Sequence, residues 1–222
     1  MMLRNILVIE ASTESGSVAL ARNGALVAKL SFSSRDPVTG ARTEALAPAV
    51  AQCLTRASIS PRDLAAVVCD AGPGGFTSLR SAAAFAKGLC SALQIPLYAV
   101  SSLELLVWSA SLTDGDFVAA LHAGRNEWFT ADVSRGNDAT VVGATLLVSD
   151  DELHARAARN HARLIGPGLD YSVTPCADAV IPRLEEVKDR GAVDLDSWEP
   201  EYGRLAEAQV KWEAAHGRSL SV

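Results

Sequence analysis

The chain has 222 residues, of which 49% are apolar and 21% charged, and it carries a net charge of −6; these proportions exclude a small peptide scaffold, a large multidomain machine and a disordered chain. With 20 basic residues against 26 acidic ones, it has no cationic surplus to neutralise a phosphate backbone by itself, so any contact with nucleic acid needs a partner. Cys53, Cys69, Cys90 and Cys176 lie far apart in apolar or helical stretches without CxxC spacing, and they read as reduced thiols of a cytoplasmic protein. No apolar run approaches membrane-spanning length.

Residues 3 to 9 are apolar and β-branched almost throughout, which suits a strand buried on both faces. Strands over 17–21 and 25–32 follow, joined by Asn23-Gly24, a pair that readily takes the positive φ of a tight hairpin turn. Ser33 to Arg42 reads as a loop. Leu46, Val50, Cys53, Leu54 and Ala57 then share one helical face. Ser60-Pro61-Arg62-Asp63 has the cap, proline and acid of a short helical turn. A strand over 65–69, a glycine-rich loop, a helix over 77–93, a strand over 97–100 and a helix capped by Ser101 or Ser102 complete an α/β unit with a mixed sheet.

Thr113-Asp114-Gly115-Asp116 marks a boundary between two lobes, 1–113 and 114–222. Strands are expected over 117–122, 127–133 and 140–148, echoing the opening meander. Ser149 to Glu152 reads as a capping box for a helix to about His161, followed by a short strand at 164–165, a Gly-Pro-Gly turn and a helix interrupted near Pro182. This half is shorter and more degenerate. The tail from Trp198 to His216 pairs a turn with a helix whose Leu205, Ala208 and Trp212 share a face.

Gly72-Pro73-Gly74-Gly75-Phe76-Thr77 stands between a buried strand and a helix, where backbone N–H groups and the helix dipole can receive an anion. It lacks the Lys-Ser/Thr ending of a P-loop and the GxGxxG spacing of a dinucleotide fold. A structural turn explains the glycines equally, through close backbone approach or positive φ. Glu10, Ser12 and Thr13 end the first strand, and with Gly74 and Gly75 they form a candidate vestigial phosphate site. The corresponding turn of the second half carries His122, so the second acid that would tether Mg²⁺ is missing there. His122, His154, His161 and His216 form no i, i+4 pair, and no metal site, catalytic residue or cofactor is expected. The alanine-rich helix over 77–93 is compatible with burial inside one lobe and with docking on a like helix pair.

Three stretches carry a resemblance: ILVIEASTESGSVAL from Ile6, GPGGFTSLR from Gly72, and Trp198 to Glu213. They resemble the TsaB family, also called YeaZ, over nearly the whole chain. The family's GPGSFTGLR keeps Gly72, Pro73, Gly74, Phe76, Thr77, Leu79 and Arg80 here, with Gly75 in place of Ser and Ser78 in place of Gly. Its DARRGEVY resembles His122 to Phe129, with Arg125 and Glu127 kept but His122 and Gly124 replacing Asp and Arg. The Asp of its opening IDTST is Glu10.

The resemblance implies an ASKHA (actin-like ATPase and sugar kinase) fold of two lobes with mixed sheets, the second degenerate. It also implies a non-catalytic partner of TsaD in forming threonylcarbamoyladenosine in tRNAs that read codons starting with A. TsaD's VNHxxxH, whose histidines bind its metal, aligns with Val100 to Leu106, so Ser102 and Leu106 stand for both ligands; neither a hydroxyl nor an isobutyl group replaces imidazole at a transition-metal site.

The implied TsaD-facing surface takes Leu46, Val50 and Cys53 from the first helix (Thr43 to Ala57) and Gly72, Pro73, Gly74, Phe76 and Thr77 from the loop. Leu79, Arg80, Ala83, Phe85, Ala86, Lys87 and Cys90 come from the second helix. TsaE is implied at the junction, tRNA is reached only through the complex, and a homodimer is implied when TsaD is absent. The competing expectation is a self-sufficient ATP-dependent carbamoyl or phosphoryl transferase, or a metallopeptidase-like enzyme, and a third is a stand-alone module binding a small anion at the Gly72 loop.

Overall fold

The computed structural model describes residues 4–33, 35, 38–39, 45–136 and 139–202. The expected helix over Leu205 to Trp212 and the expected first-helix residues Thr43 and Glu44 lie outside them. Strands β1 (Asn5–Glu10), β2 (Ser15–Arg22) and β3 (Ala25–Ser33) form the meander. Asn23 and Gly24 take φ of 53° and 79°, which is the geometry of the primed turn that matches strand twist. Helix α1 (Leu46–Ala57) leads through a 3₁₀ turn at Pro61–Asp63 to β4 (Ala66–Asp70). Helix α2 (Phe76–Leu93), strand β5 (Leu97–Val100) and helix α3 (Ser102–Ser109) follow. The first sheet runs β3-β2-β1-β4-β5, antiparallel at its meander and parallel from β1 onward.

Side chains alternate across a strand, so β1 and β4 feed two cores. Leu7, Ile9, Val67 and Cys69 pack under α1 and α2; Ile6, Val8, Ala66 and Val68 face the other way. Helix α3 is apolar nearly all round because it is shared: Leu105 packs on the first sheet, while Leu103, Leu106 and Val107 pack on the second. Each fully buried leucine here contributes about 1.5–3 kcal/mol.

The second sheet contains β6 (Gly115–Gly124), β7 (Glu127–Gly136), β8 (Ala139–Val142), β9 (Leu146–Ser149) and β10 (Arg163–Ile165). The single strand expected over 140–148 is two strands, both antiparallel to β7 and offset by one residue between them. The break falls at Gly143, whose N–H donates to Asp132 O while the Asp132 carboxylate holds Arg156 of helix α4 (Asp150–Arg159). The expected capping box at Ser149 is only half made. Ser149 Oγ accepts from Glu152 N–H, but the Glu152 carboxylate pairs with Arg159 instead of reaching back. Helix α4 covers the outer face of this sheet through Leu153 and Ala157.

The chain then returns to the first sheet. A 3₁₀ segment at Ala177–Arg183, broken by Pro182, and helix α5 (Leu184–Asp189) put Ala177, Val180, Ile181, Leu184 and Val187 on Ile6, Val8 and Val68. Residues 193–202 then form a strap along one flank of α2. Val193 N–H donates to Leu97 O, Lys87 Nζ donates to Trp198 O, and the Tyr202 ring lies 4.6 Å from that of Phe76. The order of layers is α1 and α2, first sheet, α3 with 177–189, second sheet, α4.

Candidate functional site

Strands β1 and β4 are parallel neighbours and both end in an acid. Glu10 and Asp70 therefore stand side by side on the face that looks toward α3, and both are buried, at 0% and 1% exposure. Ser17, opposite Glu10 on β2, extends the row. Glu10 Oε1 accepts from the N–H and hydroxyl of Ser12, each at 2.8 Å, and Oε2 accepts from Ser17 Oγ at 3.2 Å. Asp70 accepts from Gly72 N–H at 2.9 Å, from Ala11 N–H at 3.3 Å and from the Ser102 hydroxyl. Burial, and next the charge of Asp70, push the Glu10 carboxyl up to about 8; burial pushes Asp70 up to about 6 against the pull of its donors. Both carboxyls thus hold their protons more tightly than carboxyls in water do.

The glycine loop is shut from both sides by the chain itself. A Cβ on Gly74 would lie 2.4 Å from Ser12 O, and one on Gly72, at φ +86°, would lie 2.0 Å from Glu201 O. Gly75 N–H donates to Ser12 O and Glu201 N–H to Ala71 O, each at 2.7 Å. The glycines serve close backbone packing, and Gly72 N–H is spent on Asp70. Of the candidate phosphate residues, Glu10, Ser12, Gly74 and Gly75 come together, whereas Thr13 turns away to donate to Ser15 O. The corresponding turn of the repeat carries His122 and no second acid. The structure supplies one from the adjacent strand: Asp70, which ends an apolar run just before a glycine loop as Glu10 ends its own run before a turn.

Seven residues expected at a partner surface lie instead in this chain's own core: Leu46, Val50, Cys53, Leu79, Ala83, Ala86 and Cys90 are all 8% exposed or less. The apolar face of each amphipathic helix goes to its own sheet, so periodicity identified the wrong side. Gly72 and Pro73 are buried and Gly74 is half-buried in the closed loop; Phe76, Thr77 and Arg80 are exposed. Phe85 and Lys87 are half-buried, Lys87 under the strap.

The outer face of α2 is made of the exposed Thr77, which was among the expected surface residues, and of the exposed Ala84, Gly88 and Ser91, which were not. Between α1 and α2 runs an apolar groove of about 590 Å³, lined by Ala47, Ala51, Leu54, Phe85 and Leu89 among others. His122 and Gly124 sit at the β6–β7 turn, far from the acidic row in sequence; Gly124 N–H donates to His122 Nδ1, and the His122 ring stands edge-on to Trp128. Among the described residues no group of three or more His, Cys, Asp and Glu side chains is placed to hold a metal, and no helix is long and apolar enough to cross a membrane.

Residues 38–176 match the family model of TsaD, tRNA N6-adenosine threonylcarbamoyltransferase. The chain is 28% identical over 232 residues to the tRNA threonylcarbamoyladenosine biosynthesis protein TsaB of Bacillus subtilis, covering 93% of this chain and 97% of that protein. It is 31% identical over 174 residues to the Escherichia coli protein of the same name, covering 77% and 73%. A solved Pseudomonas aeruginosa structure described as YeaZ superposes with a TM-score of 0.70 at 23% identity, over 90% of this chain and all of that one, and so shares the fold. The chain belongs to the TsaB (YeaZ) family and shares with TsaD the domain over residues 38–176.

Proposed function

We propose that this chain is a non-catalytic subunit of the assembly that forms N6-threonylcarbamoyladenosine in tRNAs reading codons that start with A. It acts by docking the outer faces of α1 and α2 onto TsaD and supporting its active conformation. The observation that carries this reading is the contrast between two places. The acidic row and glycine loop, where an ASKHA protein would hold phosphate, are filled by Ser12, Ser102 and Glu201 of the chain itself. Among the described residues, nothing covers the small-residue face of α2 or the groove beside it.

The donor set agrees. Ser102 and Leu106 replace the metal-binding imidazoles of the TsaD motif; Ser102 is committed to Asp70, and Leu106 is packed between α3 and the second sheet. The two mixed sheets, each with a meander and covering helices, support an ASKHA body with a first lobe at 1–113 and a second that begins at 114, although residues 177–202 of that expected second lobe return to pack on the first sheet and α2. TsaE at the TsaB–TsaD junction, tRNA reached through the complex, homodimers when TsaD is lacking and a cytoplasmic setting belong to the same reading.

Reconstitution tests it. Purified TsaD and TsaE, given tRNA and the threonylcarbamoyl donor, are expected to modify tRNA only when this chain is added; undiminished product without it sinks the proposal. Ala84→Arg, on the exposed face of α2, should abolish co-elution with TsaD while leaving the far-UV spectrum unchanged.

A further inference from the structure

The acidic row joins parts of the chain that are remote in sequence. Glu10 holds Ser12, and Ser12 O holds Gly75 N–H, the residue just before α2. Asp70 holds Gly72 N–H and the hydroxyl of Ser102, the first residue of α3, whose own N–H donates to Gly72 O at 2.7 Å. Ser17 Oγ, besides donating to Glu10, accepts from Ala177 N–H at 2.9 Å where the chain returns from the second sheet. Ala71, inside the same loop, receives the strap through Glu201 N–H. The turn after β1, the glycine loop, the start of α3 and the return at Ala177 therefore meet one row of four side chains, Ser17, Glu10 and Asp70 on three adjacent strands and Ser102 on α3, with the start of α2 and the strap held one backbone bond further out; two of the four are carboxyls in a dry environment. Two such carboxyls cannot both be ionised cheaply.

We propose that the Ser17–Glu10–Asp70–Ser102 row is a proton-dependent latch: with one proton retained it ties the glycine loop, the starts of α2 and α3 and the strap together, and release of that proton to solvent frees them. Other titratable groups near the row are the Cys69 thiol on β4, which donates to Asp70 O, and Cys176, which also feels Lys29 and Asp178. Lys29 and Asp178 are paired with each other at 2.9 Å, which leaves the two carboxyls to dominate the row.

The sign follows from the direction of the Glu10 shift. A carboxyl that binds its proton more tightly when buried stabilises the closed latch fully at low pH. That contribution is lost as pH rises from the ordinary value of 4.5 to about 8 and is constant beyond it. Over that window a single proton changes the closed-to-open ratio about tenfold per pH unit.

The test uses the isolated chain, so it stands apart from any question of TsaD. Amide exchange is measured at pH 6 and 7 and converted to protection factors for the N–H groups of Gly72, Gly75, Ser102 and Glu201, with Ala119 and Ala131 of the β6–β7 ladder as reference. Protection at the first four should fall about tenfold while the reference amides hold; in Glu10→Gln, which mimics the protonated carboxyl, the fall should vanish. Equal protection at both pH values, an equal fall at the reference amides, or a slope retained in Glu10→Gln each overturns the proposal. Carboxyl ¹³C titration of the wild-type chain requires no variant: a Glu10 midpoint above 7 is expected, and one below 5.5 overturns the latch.

Discussion

Gly72→Ala is the sharpest probe of how the loop is closed. At φ +86° an L-residue costs about 1–2 kcal/mol relative to a right-handed conformation. The added methyl would sit 2.0 Å from Glu201 O and 3.2 Å from Leu79 Cδ1, and the nearer atom is backbone, so the strap has to move. Moving it forfeits the Glu201–Ala71 hydrogen bond, worth about 0.5–1.5 kcal/mol net. It also forfeits the Phe76–Tyr202 ring contact, worth a further ~0.5–1.5 kcal/mol. The expected loss is about 2–5 kcal/mol, a large share of the stability of about 5–15 kcal/mol usual for folded proteins.

Gly75→Ser is the internal control. Its φ is not positive, the nearest atom to a new Cβ is Ser12 O at 3.5 Å, and a serine at this uncapped N-cap should gain a few tenths of a kcal/mol, on the order of 0.3. Urea denaturation of the three chains, compared at equal m, reads both effects. A Gly72→Ala midpoint within about 0.5 kcal/mol of wild type would refute the reasoning, because a strap seated on Gly72 cannot tolerate the methyl so cheaply.

Leu153→Ala, which empties a fully buried position between α4 and the second sheet, should cost about 2–5 kcal/mol in the same assay. Gly88→Ala adds a methyl to open space on the outer face of α2 and should stabilise the chain by about 1 kcal/mol through helix propensity; Gly88→Arg should block association with TsaD without unfolding the chain. In the native chain a thiol reagent should modify Cys176 alone and slowly, since Cys53, Cys69 and Cys90 are buried at 0% exposure and burial raises the Cys176 thiol too; rapid labelling of two or more thiols would contradict the packing under α1 and α2.

Local chemistry was legible from residue order alone. The Asn23-Gly24 turn, the Ser60–Asp63 capping box, the Ser101 cap and the break at Pro182 are all where the sequence puts them, because each depends on residues within a few positions of one another. The unbroken apolar run from Ile6 to Ile9 likewise announces a strand buried on both faces. Membership of the TsaB family was legible too, from the GPGGFTSLR stretch. Periodicity shows that a helix has an apolar side, but not what that side meets. Leu46, Val50, Ala83 and Cys90 therefore looked like a docking surface until the sheet beneath them was seen. The pairing of Glu10 with Asp70, 60 positions apart, and the closure of Gly72 by Glu201 depend on which strands lie side by side and where the chain returns. Those are long-range contacts whose energy is decided by the whole packed fold, and no window of neighbouring residues contains it.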